Sequence, residues 1–359
     1  MTSVTIEQLR VPDTLEDDGA ADFLTAVEVS RQVRISTWGN DDLAYTAGEM
    51  LAVCHDPYEW YVMLVARLDG IIVGRAGIAL PLDDSTDLAH VTLDVLPGAQ
   101  GRGVGRDLLE AAETFVRGEN RRIVIVETNH AAETLAEPGA SRLSAANGVG
   151  DLPLSNREVL FAHKAGYELE QVEQFGVCPL PLAPALITEL TGQAGIAQDG
   201  AYAVHQWTNS CPDKWAEEIV RLERDYSGNG LVDESWNAEM LRESEELAQA
   251  TGRHTLVSAA ECLKTGELVA FTSISVLGDR SDVVFQDDTV VMPEHRGREL
   301  GLLIKVANLQ LLAREFPQSR AVYTWNAADN TYMLDVNTRL GFIAAGVTGQ
   351  WQKEFEFAH

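Results

Sequence analysis

The sequence predicts an α+β fold in which a mixed β-sheet is flanked by helices, and it predicts two such domains in tandem. Three observations support this. The chain has 359 residues, which suits two domains better than one. Its apolar fraction of 45% is typical of a soluble globular protein. Finally, the order strand, Gly/Arg-rich turn, amphipathic helix, strand occurs twice, and such a repeat indicates a duplicated domain.

The two copies are closely aligned. The first contains HVTLDVLPGAQGRGVGRDLLEAAETFV, and the second contains QDDTVVMPEHRGRELGLLIKVANLQLL. Gln100 and Arg296 begin the two turns, 196 residues apart, and Asn129 and Asn326 end the strands that follow, 197 apart. The later segments AGY (165–167) and LGF (340–342) correspond at an offset of 175. The first copy must therefore carry an insertion, which we place in the Gly- and Pro-containing loop 129–155 and expect to be functional or mobile.

Each copy also contains a hairpin and the helices that precede it. β-rich runs joined by turn residues are typical of hairpins, and they occur at 61–67 with 71–80 and at 255–260 with 268–276. Pro212 opens one helical segment, CPDKWAEEIVRLERDY, as a proline in a first turn should, and 236–249 predicts another helix.

Proline- and glycine-containing sequence separates the copies. The segment from Val177 to Gly200 has three early prolines and one short helical patch, which is typical of a linker. We therefore expect an N-terminal domain at 1–178, a linker at 179–200 and a C-terminal domain at 201–359.

Charge and composition exclude several kinds of partner. The net charge of −28 repels nucleic-acid phosphates and anionic lipid headgroups, so neither a nucleic acid nor a membrane is an expected partner. The four cysteines are scattered without metal-ligand spacing, which predicts no metal site and a reducing compartment. No signal-peptide pattern begins the chain, so we expect a cytoplasmic protein, either a monomer or a homodimer.

The Gly/Arg-rich turns predict an anion site. A strand that leads through such a turn directly into a helix aims backbone N–H groups and the helix dipole at one point. Gly101, Gly103 and Gly105 allow close approach of a ligand, and Arg102 and Arg106 add positive charge. A phosphate-bearing ligand is therefore expected, although the pattern matches neither the P-loop nor the dinucleotide-binding motif.

The segment Gln100-Gly-Arg-Gly103-Val-Gly105 resembles the pyrophosphate loop of the GNAT superfamily of acetyl-CoA-dependent N-acetyltransferases. Arg296-Gly-Arg-Glu299-Leu-Gly301 resembles a variant of that loop, in which Glu299 replaces the middle glycine. Together with VMPEHRGRELGLLIKVANLQ and TWNAADNTYMLDVNTRLGF, these segments are similar to the two-domain GNAT proteins of actinobacteria.

The resemblance implies that acetyl-CoA, or another acyl-CoA, lies in a V-shaped opening between two strands, and that an amine attacks its thioester directly. It implies the following cofactor-binding residues: Val95, Gln100, Gly101, Arg102, Gly103, Val104 and Gly105 in the first domain, and Val291, Arg296, Gly297, Arg298, Gly301, Asn326 and Asn330 in the second.

Candidate catalytic residues follow from the same resemblance. The tyrosine that the family often uses to protonate the leaving thiolate is replaced by Ala162 and Asn337, and Tyr332 is a possible substitute. A general base is expected on the strand before each turn, where His90, Asp94 and Asp288 are the candidates. A strand bulge would change which of these side chains faces the cleft, so their orientation stays open.

The function expected from this sequence is acetyl transfer from acetyl-CoA to the primary amine of a small molecule, for which the acidic chain favours a cationic acceptor. Two alternatives stay open. One is a non-catalytic acyl-CoA-binding or scaffold protein, suggested by the missing tyrosines and by Glu299. The other is a protein-lysine acetyltransferase. The sequence does not indicate which of the two domains is catalytic.

Overall fold

The computed structural model describes residues 4–82, 85–135, 139–226 and 236–356. The chain forms two compact units, one of Met1–Glu173 with Gly346–His359 and the other of Gln174–Ala345. This division differs from the one expected from the repeat, because the last residues of the chain belong to the first unit. The chain passes from one unit to the other within two of its strands, β8 (Glu168–Pro179) and β14 (Ile343–Glu354).

The first unit contains a mixed sheet with helices on both faces. Besides parts of β8 and β14, its strands are β1 (Val4–Leu9), β2 (Glu59–Leu68), β3 (Ile71–Pro81), β4 (Leu88–Val95), β5 (Ile123–Ala131), β6 (Arg142–Ser144) and β7 (Asp151–Pro153). Its helices are α1 (Ala20–Trp38), α2 (Ala47–Cys54), α3 (Val104–Gly118) and α4 (Arg157–Lys164). The order in the mixed sheet is β1-β2-β3-β4-β5-β14-β8, and β6 and β7 form a separate sheet.

Apolar side chains pack on both faces of this sheet. Val104, Leu108 and Ala112 of α3 are buried against one face, and Phe23 and Val27 of α1 are buried against the other. The predicted hairpin forms as β2 and β3. Within the loop 129–155, β6 and β7 pair as a two-stranded antiparallel sheet, which sequence composition did not indicate.

The C-terminal segment completes the first sheet. Residues Gly346–Glu354 of β14 pair antiparallel with Ile123–Ala131 of β5, and Trp351 is fully buried in the core. The expected domain 201–359 did not include this possibility, because the repeat places β14 in the second copy and says nothing about its pairing partner.

The second unit repeats the arrangement. Besides parts of β8 and β14, its strands are β9 (Tyr202–Thr208), β10 (His254–Cys262), β11 (Glu267–Leu277), β12 (Arg280–Val291) and β13 (Ala321–Ala327). Its helices are α5 (Pro184–Gln198), α6 (Ala216–Tyr226), α7 (Ala238–Ala250), α8 (Leu300–Glu315) and α9 (Thr331–Leu340). The sheet order is β9-β10-β11-β12-β13-β8.

The segment expected to be a linker is largely helical. Most of 179–200 forms α5, whose Leu190 and Ala194 are buried in the core of the second unit. This segment therefore belongs to the second unit. None of the described helices is long and apolar enough to cross a membrane.

Candidate active site

A cavity opens between two parallel strands of the first unit. β4 and β5 pair at Leu88–Val91 with Ile123–Val126, and the cavity of about 760 Å³ lies beyond this pairing, where the strands diverge. Leu93 and Val95 line it from β4, and residues 126–131 line it from β5. This is the V-shaped opening that the resemblance implied.

The cavity is lined from both faces of the sheet. Arg34, Ser36 and Thr37 of α1 contribute from one face, whereas Arg157 and Phe161 of α4 contribute from the other. Two ligands that approach from opposite faces can therefore meet between the diverging strands.

The glycine-rich turn lies at the α3 end of this cavity. Gly101 has φ of 75° and Gly103 has φ of 89°, in the left-handed region that favours glycine. Gly103 immediately precedes α3 and has no side chain that could cap the helix. The first N–H groups of α3 therefore lack a side-chain acceptor, and this geometry favours a phosphate.

The first residue of each turn has the same structural role in both units. The Gln100 side-chain amide donates to the carbonyl oxygen of Val95 at 3.0 Å, and Arg296 Nε donates to that of Val291 at 3.1 Å. Gln100 and Arg296 thus hold each turn against the end of the preceding strand. The matching contacts support the alignment of the two turns.

Three arginines surround the first turn. Arg102 is exposed, and no acidic side chain of the described residues pairs with it. Arg106 Nη2 donates to Asp107 Oδ1 at 3.0 Å. Arg157 donates to Gln100 Oε1 and lines the cavity. The sequence did not single out Arg157. The offset of 175 between the later segments of the two copies aligns Arg157 with Tyr332, and this alignment could have indicated a position close to the turn.

The candidate bases on β4 do not line the cavity. His90 is exposed elsewhere on the strand. Asp94 is 1% exposed, and its carboxylate accepts from Arg34 Nη1 and from Arg75 Nε, each at 3.0 Å. Burial alone would raise the pKa of Asp94, but the charges of Arg34 and Arg75 outweigh it and hold the pKa below its ordinary value. These contacts favour a structural anion over a base that exchanges protons at neutral pH.

His130, which sequence reasoning did not single out, is a buried histidine of the cavity wall. Its Nε2 lies 2.8 Å from Thr128 Oγ1, and its Nδ1 lies 3.1 Å from Asn156 Nδ2. Burial lowers the pKa of His130 to about 4, so the ring is neutral at physiological pH. Both ring nitrogens have protein partners, which suits a positioning role.

Two carboxylates lie on the face of the sheet that carries α1. Glu127 of β5 lines the cavity, and Glu173 of β8 is half-buried. The side-chain amide of Gln350, from β14, donates to Glu127 Oε1 at 2.8 Å and to Glu173 Oε2 at 3.4 Å. The sequence could not indicate this cluster, because three strands that are distant in sequence bring it together.

In the second unit, the protein's own side chains occupy the corresponding turn. Glu299 has φ of 58° at the position of Gly103, and its carboxylate accepts from Arg339 Nη1 at 2.8 Å. The hydroxyl of Tyr332 packs against Gly301, one of the residues whose amides would face a phosphate. Gly297, Arg298 and Arg296 keep their places in the turn.

A hydrogen-bonded chain of side chains lies beside this second turn. Lys305 is 1% exposed, and its Nζ donates to Asn337 Oδ1 at 2.8 Å. Asn337 Nδ2 in turn donates to Asn326 Oδ1 at 2.6 Å. Burial lowers the pKa of Lys305 to about 7. The first unit has Leu109 and Ala162 at the positions of Lys305 and Asn337, and both of these line its cavity.

The other candidates of the second unit have ordinary structural surroundings. The Asn330 side chain caps α9 by accepting from the Met333 N–H at 3.2 Å. Asp288 lies at a register irregularity between β11 and β12, the kind of bulge that the resemblance suggested. Part of its side chain reaches solvent, yet the surrounding protein raises its pKa.

The sequence profile of the Acetyltransferase (GNAT) family matches residues 30–137 and 201–342, which together make up more than half of the chain. The chain belongs to the GNAT acetyltransferase family. The two matched regions confirm the tandem arrangement, and membership in this family supports acyl transfer in general.

Solved structures show the same GNAT fold. A tandem GNAT protein from the clavulanic acid biosynthesis pathway, solved without AcCoA, is 22% identical with a TM-score of 0.73, and the alignment covers 99% of this chain and 100% of that one. A GCN5-related N-acetyltransferase from Sphaerobacter thermophilus is 14% identical with a TM-score of 0.64, with 98% and 95% covered. No curated protein sequence matches the chain.

Proposed function

We propose that this GNAT protein is an acyl-CoA-dependent N-acyltransferase that transfers the acetyl group of acetyl-CoA to the primary amine of a small molecule, and that the first unit performs the reaction. The observation that carries this proposal is the cavity between β4 and β5, with the uncapped start of α3 at one end. The amides of that helix start, with Arg102, Arg106 and Arg157, suit the phosphates of coenzyme A.

The second unit supports this division of labour by contrast. Its turn carries the Glu299 carboxylate, whose negative charge disfavours a phosphate, and the Tyr332 hydroxyl packs against Gly301. The Lys305–Asn337–Asn326 chain takes up space that is open cavity in the first unit. We therefore expect one molecule of acetyl-CoA to bind per chain.

The bound acyl-CoA supplies an electrophilic thioester carbonyl. The diverging strands expose backbone groups of β4 and β5 along which its extended arm can lie, while the other face of the sheet admits the acceptor. The side chains of Leu93, Val95 and Phe161 make this part of the wall apolar, which limits water near the thioester.

Calorimetric titration with acetyl-CoA tests the assignment. Gly103→Glu places in the first turn the residue that the second turn already has as Glu299 at φ of 58°, although the φ of 89° at Gly103 makes the substitution strained, so its folding is checked first. Wild type should bind one equivalent, Gly103→Glu should bind none, and Glu299→Gly should bind as wild type does. Absence of binding by wild type, or undiminished binding by a folded Gly103→Glu variant, would contradict the proposal.

A second candidate, an acyl-CoA-binding protein without turnover, is favoured by one observation. Neither His90 nor Asp94 lines the cavity, and Ala162 stands where the family often has its acid. This alternative expects acetyl-CoA to bind without release of free coenzyme A in the presence of amines. A thiol assay across a panel of small amines and a lysine-containing peptide separates it from transfer to a small molecule and from protein-lysine acetylation.

A further inference from the structure

The α1 side of the cavity carries two negative side chains without a cationic partner. Glu127 and Glu173 form no ion pair with any lysine, arginine or histidine in the part of the chain that the structure describes. Their polar contacts come from neutral amides, namely Gln350 to both and Gln171 Nε2 to Glu173 Oε1 at 3.0 Å. Burial raises the pKa of Glu173, and the charge of Glu127 adds to this effect.

The arginines on the same side offset only part of this charge. Arg34 of α1 and Arg75 share the single carboxylate of Asp94, each at 3.0 Å, so this cluster carries one positive charge against the two negative charges of Glu127 and Glu173. His130 on β5 is neutral at physiological pH, since burial lowers its pKa to about 4. Arg106 and Arg157 lie near the glycine-rich turn, where Glu158 also lines the wall. A ligand that enters on the α1 side therefore faces a net negative charge, with Glu127 exposed at the cavity wall and Glu173 half-buried and joined to it through Gln350.

We propose that Glu127 binds the ammonium group of a cationic acceptor and accepts its proton, with Glu173 and the bridging Gln350 as positioning residues. This inference rests on the proposed function and names the substrate class, a small primary ammonium ion, and the residue that recognises it. Gln350 leaves oxygen lone pairs of the Glu127 carboxylate available, because a carboxylate can accept several hydrogen bonds.

The protons, bonds and electron pairs of the proposed transfer balance as follows. One proton moves from the ammonium group to Glu127, which leaves a neutral amine. The amine nitrogen forms a bond to the thioester carbon, and the carbon–sulfur bond breaks with its electron pair on sulfur. A second proton from the same nitrogen ends on the thiolate, so the products are an amide and free coenzyme A, and Glu127 returns its proton to solvent.

Binding measurements on the free protein test the recognition step. The probes are n-hexylamine and its neutral counterpart 1-hexanol, titrated into wild type, Glu127→Gln and Glu168→Gln, the last being an exposed glutamate on the strand of Glu173. Wild type and Glu168→Gln should bind the amine at least tenfold more tightly than the alcohol, and Glu127→Gln should lose this preference. An equal preference in Glu127→Gln, or none in wild type, would overturn the inference.

The proton-transfer step has its own readout. With an amine that releases free coenzyme A, Glu127→Gln should lower kcat, and the loss should shrink as pH approaches the pKa of the amine, because the substrate then arrives neutral. A pH-independent loss would assign Glu127 to binding alone and refute the base role. Because the amine titration needs no cofactor, failure of acetyl-CoA binding would refute the proposed function separately.

Discussion

Replacing Asp94 by asparagine should destabilise the first unit strongly. Its carboxylate is 1% exposed, and it bridges Arg34 and Arg75 at 3.0 Å each. Arg75 is itself 3% exposed, and besides Asp94 it contacts Ser30 Oγ at 3.1 Å and Met50 Sδ at 3.3 Å. The substitution would leave a buried guanidinium without its counter-ion, and removing one partner of a buried ion pair costs about 3–5 kcal/mol.

This cost predicts a fall in the melting temperature of roughly 6–20 °C, since a unit of this size loses about 2–4 °C per kcal/mol. The sign of the pH dependence follows from the lowered pKa of Asp94. Its stabilisation is fully present above the unfolded pKa of about 3.9 and disappears as pH falls through the lower folded value. The difference in the free energy of unfolding between wild type and Asp94→Asn should therefore be constant near neutral pH and should shrink in strong acid.

Thermal melts of wild type, Asp94→Asn and the control Asp288→Asn measure this effect. Asp288 lies on β12 of the second unit, and no ion pair links it to another described residue. The control should melt within a few degrees of wild type. If Asp94→Asn melts like wild type but loses turnover, Asp94 is a catalytic base and not a structural anion.

Two further outcomes follow from contacts of single cations. Arg157→Gln should weaken acetyl-CoA binding about tenfold, because a charged hydrogen bond to phosphate contributes at least about 1.5 kcal/mol. Calorimetry measures this, with Arg117→Gln at the far end of α3 as the control. Equal affinities of Arg157→Gln and wild type would refute a phosphate contact. Lys305 has its pKa lowered to about 7 by burial, so the unfolded chain binds more protons above that pH and stability should rise between about pH 7 and 10. Denaturant melts should show this rise in wild type and not in Lys305→Met, and a rise that persists in the variant would show that another group causes it.

Local patterns predicted most of the fold. The hairpins β2/β3 and β10/β11, the turns and the helices that follow them are determined by residues adjacent in sequence, and the structure confirms them. The pairing of β14 with β5 was not predictable from the same patterns, because an apolar strand can complete either of two similar sheets. For the same reason, the boundaries expected at 178 and 201 differ from the division that the structure shows.

The candidate site was predictable to different extents at its two ends. The phosphate end depends on a contiguous segment, 100–105, in which glycine conformations and the helix start follow directly from sequence. The bases proposed at His90 and Asp94 depended on which side of β4 faces the cleft, and sequence could not show that Arg34 and Arg75 enclose Asp94. Glu127, Glu173 and Gln350 come from three strands whose neighbours only the folded sheet defines.

The net charge of −28 describes the whole chain and conceals a separation of charge within one cavity. Helix amides and Arg157 lie on the α3 and α4 side of the first sheet. On the α1 side the carboxylates of Glu127, Glu173 and Asp94 outnumber the guanidinium groups of Arg34 and Arg75. Under the proposed function, a phosphate-bearing donor is attracted to the first side and an ammonium acceptor to the second. The two ligands would then meet where β4 and β5 diverge, and this difference in charge would orient both reactants. In the second unit, Glu299 and its partner Arg339 lie at the corresponding turn, which supports the different roles that we propose for the two copies.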